Sequence, residues 1–187
     1  VRVWKPRFII TGRNTVGLSA LAKAVKEAAY LEGDFVLSSG KRSRYYLDKY
    51  LFSTEPRLLK AIAEALSALL PRDFDRLAGV ELGAVPLVTA VALRTGKPFV
   101  IVRKNAKDYG TSKLFEGRLA KGDRVVLVED VLTTASQAIQ AARRLNEFGA
   151  EVVKIIYVID REEGAADNLA AAGFSAEPVM KKSDLGL

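Results

Sequence analysis

Val125-Val126-Leu127-Val128-Glu129-Asp130-Val131-Leu132-Thr133-Thr134-Ala135-Ser136-Gln137 carries four β-forming residues into two adjacent acids and then into a hydroxyl-rich turn. An uninterrupted apolar run of this length predicts a strand buried on both faces, as in a parallel sheet covered by helices. The acids then fall at its carboxyl end, where open α/β sheets bind ligands. The turn Thr133 to Gln137 leads into a helix whose free N–H groups and dipole favour a phosphate. Carboxylates suited to a sugar diol or a metal thus stand beside a phosphate cradle. A simpler account is a strand followed by a helix capped by Thr134 or Ser136, with Glu129 and Asp130 solvated.

Outward from this stretch, strand and helix alternate, which is α/β order. A helical stripe of Val16, Leu18, Leu21, Ala22, Val25, Ala28 and Ala29 ends near Gly33. Phe35 to Leu37 and Tyr45 to Leu47 predict two strands joined by the polar turn 38–43. Thr54 caps a helix with Pro56 in its first turn that runs to Pro71. A strand from Leu77 to Leu82, a helix near Pro86 to Arg94, and a strand from Phe99 to Arg103 come next. After a polar loop follow the strand Arg124 to Val128, a helix ending at Gly149, and a strand from Val152 to Ile159. The parallel core is expected over about residues 75–160.

Composition narrows the chemistry. The chain has 187 residues and 49% hydrophobic content, enough for one domain with a sizeable core. It has no Cys and no His, which removes thiolate nucleophiles, zinc–sulfur sites and histidine triads. Carboxylates, Lys, Tyr, hydroxyls and oxygen-bound hard cations such as Mg²⁺ remain. No run of about 18 apolar residues spans a membrane, and the start of the chain lacks a signal-peptide h-region, so a cytoplasmic enzyme is expected. The net charge of +7 suits either nucleic acid or a polyphosphate. Basic residues are scattered except at Arg103, Lys104 and Lys107, with no basic tail, which favours a polyanionic small molecule over nucleic acid.

The loop Arg103-Lys104-Asn105-Ala106-Lys107-Asp108-Tyr109-Gly110 is either a solvated surface loop or a lid whose cations close over a pyrophosphate. Gly83 lets a ligand approach the backbone, with the amides of Gly83, Ala84 and Val85 as donors, unless this is an ordinary strand-to-helix turn. Around Ser39 and Gly40, backbone groups can read a small ring, with Lys41 offering charge and Tyr46 an apolar face; a plain hairpin is the alternative. Asp160-Arg161-Glu162-Glu163-Gly164 is a surface charge cluster or a carboxylate clamp. No G-x-G-x-x-G follows a strand, and Gly40-Lys41 lacks the Walker spacing.

The acids and turn of 129–137 resemble the ribose-phosphate loop of type I phosphoribosyltransferases. Arg-Lys-x-x-Lys-x-Tyr-Gly from Arg103 to Gly110, Gly33 to Asp48, Val80 to Pro86 and Asp160 to Gly164 resemble segments of the orotate phosphoribosyltransferase family. The resemblance spans roughly residues 16–175. It implies a single phosphoribosyltransferase domain with a twisted, mainly parallel sheet flanked by helices. A small hood would come from about residues 1–52 plus the C-terminal segment, and the core from about 53–165. It also implies Mg-dependent transfer of the 5-phosphoribosyl group from phosphoribosyl pyrophosphate to orotate, in UMP biosynthesis.

By that resemblance Arg103, Lys104, Lys107 and Tyr109 contact phosphoribosyl pyrophosphate, and Lys107 stabilises the departing pyrophosphate. Glu129 and Asp130 hold the ribose hydroxyls, residues Val131, Leu132, Thr133, Thr134, Ala135, Ser136 and Gln137 wrap the 5-phosphate, and Gly83, Ala84 and Val85 receive the pyrophosphate. Orotate falls to Thr133, Arg161, Ser39, Gly40, Lys41 and Tyr46. Mg²⁺ would be held mainly by substrate, with Glu129 and Asp130 nearby. A homodimer sharing its active sites is implied. One departure stands out, because related loops have glycine where Ala135 stands; its methyl group fits only if residue 135 has φ below zero. A phosphoribosyltransferase for another base, or a phosphoribosyl-pyrophosphate-sensing regulator that binds nucleic acid, would share the ribose-phosphate loop.

Overall fold

The computed structural model describes residues 15–36, 42–104 and 114–187. Its centre is a six-stranded sheet made of β3 (Arg76–Val80), β4 (Phe99–Val102), β5 (Phe115–Glu116), β6 (Arg124–Leu132), β7 (Glu151–Asp160) and β8 (Ala176–Lys181). The order across the sheet is β5-β4-β3-β6-β7-β8, and every pairing is parallel except β4 with the short β5. The sequence-predicted strand Arg124 to Val128 extends further, through both acids to Leu132, because β7 continues to pair alongside it as far as Asp160.

Alternation along β6 explains the two-sided burial. Val126 and Val128 enter one apolar cluster with Ile62, Leu66, Leu87 and Val91; Val125 and Leu127 enter another with Ala138, Ala142 and Leu145. The first cluster is covered by α3 (Pro56–Ala68) and α4 (Val85–Thr95), and the second by α5 (Ser136–Phe148) and α6 (Ala165–Ala171). Helices on both faces are what a parallel sheet requires.

The N-terminal portion adds α1 (Thr15–Ala29), a hairpin of β1 (Tyr30–Val36) and β2 (Arg42–Leu47), and the five-residue helix α2 (Lys49–Ser53). Leu21, Val25 and Ala29 of α1 join the same cluster as α3, so the hairpin is carried on the core rather than hung from it. α1 stops at Ala29, short of Gly33, because the chain enters β1 at once. Thr54 closes α2, and Glu55 caps α3 instead, its carboxylate accepting the Leu58 N–H at 2.7 Å. The sheet's sixth strand lies beyond residue 165, and a 3₁₀ turn (Lys182–Leu185) follows it and packs back on α1.

Candidate active site

Glu129 and Asp130 are 6% and 4% exposed, so the solvated reading of the acids is excluded. They lie within β6 near its carboxyl end, and burial is costly for two neighbouring carboxylates. Desolvation, followed by repulsion from Asp130, pushes the Glu129 carboxyl up to about 8; Lys49, the Asp130 backbone amide and Lys104 pull it back in part. Asp130 makes two contacts: its Oδ1 accepts the Val131 N–H at 2.5 Å, and its Oδ2 meets the Lys49 ammonium at 2.8 Å. Lys49 itself loses charge stability to burial but gains more from Asp130, and its pKa is raised overall.

Gly83 closes this group from the other side. A Cβ there would collide with Asp130 Oδ2 and lie 2.9 Å from Lys49 Nζ. The close approach expected at Gly83 is thus already made by the acid and its counter-ion. The expected trio of amide donors is corrected in part. Ala84 and Val85 donate to Val80 O and Leu82 O inside the turn, both at 3.2 Å, which leaves Gly83 as the amide without an acceptor inside that turn.

Past the acids, Thr133, Thr134, Ser136 and Gln137 are exposed at the start of α5, while Leu132 and Ala135 are buried. Val131 is half-buried and Leu132 buried; the Val131 N–H donates to Asp130, and the Leu132 carbonyl accepts the Arg161 N–H at 2.9 Å. Neither Thr134 nor Ser136 caps α5. Ala135 occupies the cap position at φ 60° and ψ 13°, which overturns the expectation that its methyl requires φ below zero. Packing of that methyl into the second apolar cluster offsets part of the left-handed strain. Asn168 of α6 donates to Thr134 O at 3.0 Å and props the turn from behind. An open groove of about 450 Å³ runs from Ser136 and Gln137 along α5 to Arg143 and Arg144.

The root of the basic loop is braced. Arg103 lies 3.8 Å from Glu81 and 3.7 Å from Glu116, and Arg144 donates to the Arg103 and Lys104 carbonyls at 3.1 and 2.8 Å. The Lys104 N–H donates to Glu81 at 2.7 Å. Lys107 and Tyr109, like Ser39, Gly40 and Lys41, lie outside the described residues. Arg161 is nearly buried, pairs with Glu163 at 2.9 Å, and its Nε has no hydrogen-bond partner. The ring beside its guanidinium is Tyr45, at 5.7 Å, whereas Tyr46 is 41% exposed and packs on Phe35. Strand alternation separates the two tyrosines.

Residues 53–181 match the phosphoribosyl transferase domain. Orotate phosphoribosyltransferase of Pyrococcus abyssi is 51% identical over 82% of this chain and 86% of its own length. The chain belongs to the orotate phosphoribosyltransferase family. A crystal structure of Mycobacterium tuberculosis orotate phosphoribosyltransferase in complex with Fe(III) dicitrate superposes with a TM-score of 0.82 at 34% identity, covering 91% of this chain and 99% of that one. The same enzyme in complex with phosphoribosyl pyrophosphate gives 0.78 at 32% identity, with coverage of 91% and 99%.

Within this family frame, sequence reading missed Lys49, Tyr45, Glu81 and Asn168. Lys49 stands in a run, Asp48-Lys49-Tyr50, that has no periodic signal of its own. Only the packing of α2 beside the end of β6 gives it meaning.

Proposed function

We propose that the protein transfers the 5-phosphoribosyl group of phosphoribosyl pyrophosphate to orotate, giving orotidine 5′-monophosphate and pyrophosphate on the route to UMP. The observation that carries the site assignment is the buried Glu129–Asp130 pair, which opens onto the exposed hydroxyls of Thr133, Thr134 and Ser136 and touches the Gly83 turn. In this reading Glu129 and Asp130 hold the ribose hydroxyls, and the Asp130 carboxylate balances the positive charge that develops at C1′ as the diphosphate leaves. Thr133 to Gln137 and the amino end of α5 take the 5-phosphate. The unpartnered Nε of Arg161 suits a carboxylate, and orotate presents one. Orotate is already ionised and needs no strong base, in keeping with a chain without His.

Mg²⁺, when bound, neutralises the departing diphosphate. Among the described residues no three acidic side chains converge as a cation cage, while two adjacent carboxylates are present. That donor set suits an ion held mostly by substrate oxygens. The basic loop from Arg103 through Lys107 and Tyr109 would close over the diphosphate, in a homodimer whose loops are shared between sites. The setting would be the cytoplasm; no helix among the described residues is long and apolar enough to cross a membrane.

Loss of orotate absorbance in the presence of phosphoribosyl pyrophosphate and Mg²⁺ tests the reading. Consumption of orotate, with uracil, adenine and hypoxanthine left unchanged, is expected. Turnover of one of those bases with orotate inert would move the assignment to another phosphoribosyltransferase, and a folded protein that turns over none would favour a sensing role.

A further inference from the structure

Lys49 sits where the two halves of the site meet. Its ammonium is 2.8 Å from Asp130 Oδ2 and 2.9 Å from where a Cβ of Gly83 would stand, so one cation touches both the acid assigned to the ribose and the turn assigned to the pyrophosphate. Its helix is firmly set. Asp48 caps α2 by accepting the Tyr50 N–H at 2.9 Å, the Asp48 N–H donates to Ala29 O at 2.9 Å, and Phe52 is wholly buried. The Lys49 side chain remains 34% exposed, against 5% for its partner, so solvent and an incoming ligand can reach it while Asp130 is shielded.

An ammonium has three donors, and one Asp130 oxygen does not use them all. Both Asp130 oxygens are occupied by protein donors. A ribose hydroxyl can reach Oδ2 only by sharing it with Lys49 or displacing it. Displacement frees a cation beside the Gly83 turn at the moment a polyanion enters. We propose that Lys49 is a substrate-contacting residue that neutralises Asp130 in the empty site and donates to the diphosphate of phosphoribosyl pyrophosphate when Asp130 turns to the ribose. The inference rests on the assignment of Asp130 and Gly83 made above.

The test is calorimetric binding of Mg²⁺-pyrophosphate, and of phosphoribosyl pyrophosphate, to the full chain. It compares Lys49→Met, Lys49→Arg, Asp130→Asn and the Lys49→Met/Asp130→Asn double variant, each checked by thermal unfolding. Lys49→Met is expected to weaken pyrophosphate binding roughly 10–100-fold, the scale of one charge-assisted hydrogen bond, and Lys49→Arg to recover part of it. The double variant leaves no unpaired buried charge at this pair, so it keeps the question open even if Lys49→Met unfolds. In the Asp130→Asn background the same weakening should persist, because the contact is with substrate. Unchanged pyrophosphate affinity on adding Lys49→Met to Asp130→Asn would make Lys49 a counter-ion alone and overturn the proposal. Asp130→Asn with unaltered affinity for phosphoribosyl pyrophosphate would instead defeat the site assignment itself.

Discussion

Two neighbouring parallel strands each carry a buried acid at or near the carboxyl end, and they satisfy it differently. At the end of β7, Asp160 is 5% exposed and is served locally: its Oδ2 accepts the Tyr157 hydroxyl at 2.9 Å and its Oδ1 the Glu162 N–H at 2.7 Å. Burial, then Asp160, raises the Tyr157 phenol well above its ordinary range, so the phenol keeps its proton across physiological pH. At the end of β6, Asp130 has a long-range cation from α2 instead, and its neighbour Glu129 is left largely uncompensated. Local partners build a fixed corner. An exchangeable partner beside an underpaired acid marks a place where a ligand completes the bonding.

The difference predicts opposite phenotypes. Asp130→Asn should lower turnover by roughly 10²–10³-fold, the cost of losing one group aimed at transition-state charge, with the fold retained. A loss of folding in its place would make the two strand ends alike. Glu129→Gln tests the same strand end through pH. The Glu129 carboxyl holds in the folded state a proton that the unfolded chain releases near 4.5. Its contribution to stability is therefore full below about pH 4.5, falls as pH rises, and is lost once pH passes about 8. The neutral amide should remove that fall, leaving the variant more stable than the parent above pH 8. Parallel pH–stability curves for the two proteins would contradict the burial-driven shift.

Asp160→Asn is expected to act on stability, by ~1–3 kcal/mol, because it disturbs the buried Tyr157 hydroxyl and the Glu162 N–H. Tyr157→Phe should cost about 1 kcal/mol. Urea unfolding reads both, and either variant losing activity without stability would blur the contrast. The smallest effect is at the turn that leads from β6 into α5. Ala135→Gly relieves a left-handed alanine and should raise stability by ~0.5–1 kcal/mol, seen as a small rise in Tm; a fall would mean that the methyl packing outweighs the strain.

The same contrast governs what the sequence could reveal. The β6 run and the acids were legible because a two-sided strand writes itself as continuous apolar residues, and the alternating order of strand and helix placed the acids at a ligand-binding edge. The strand's true end was not legible: pairing to β7 carries it to Leu132, and pairing is a property of two segments. Ala135 misled because φ at a helix entry is set by how α5 docks, not by the residue alone. Lys49 was invisible for the same reason. A lysine in a short helix between a hairpin and α3 carries no pattern, and its meaning arises only where α2 meets the acids of β6. β8 and the 3₁₀ turn lie in a polar, weakly patterned tail whose strand character comes from the free edge of β7.

Calorimetric titration of Asp130→Asn and Asp160→Asn in parallel with phosphoribosyl pyrophosphate and Mg²⁺ tests the central distinction most directly. Asp130→Asn is expected to lose most of its affinity while Asp160→Asn binds as the parent does. Equal affinities in the two variants, or loss confined to Asp160→Asn, would contradict it.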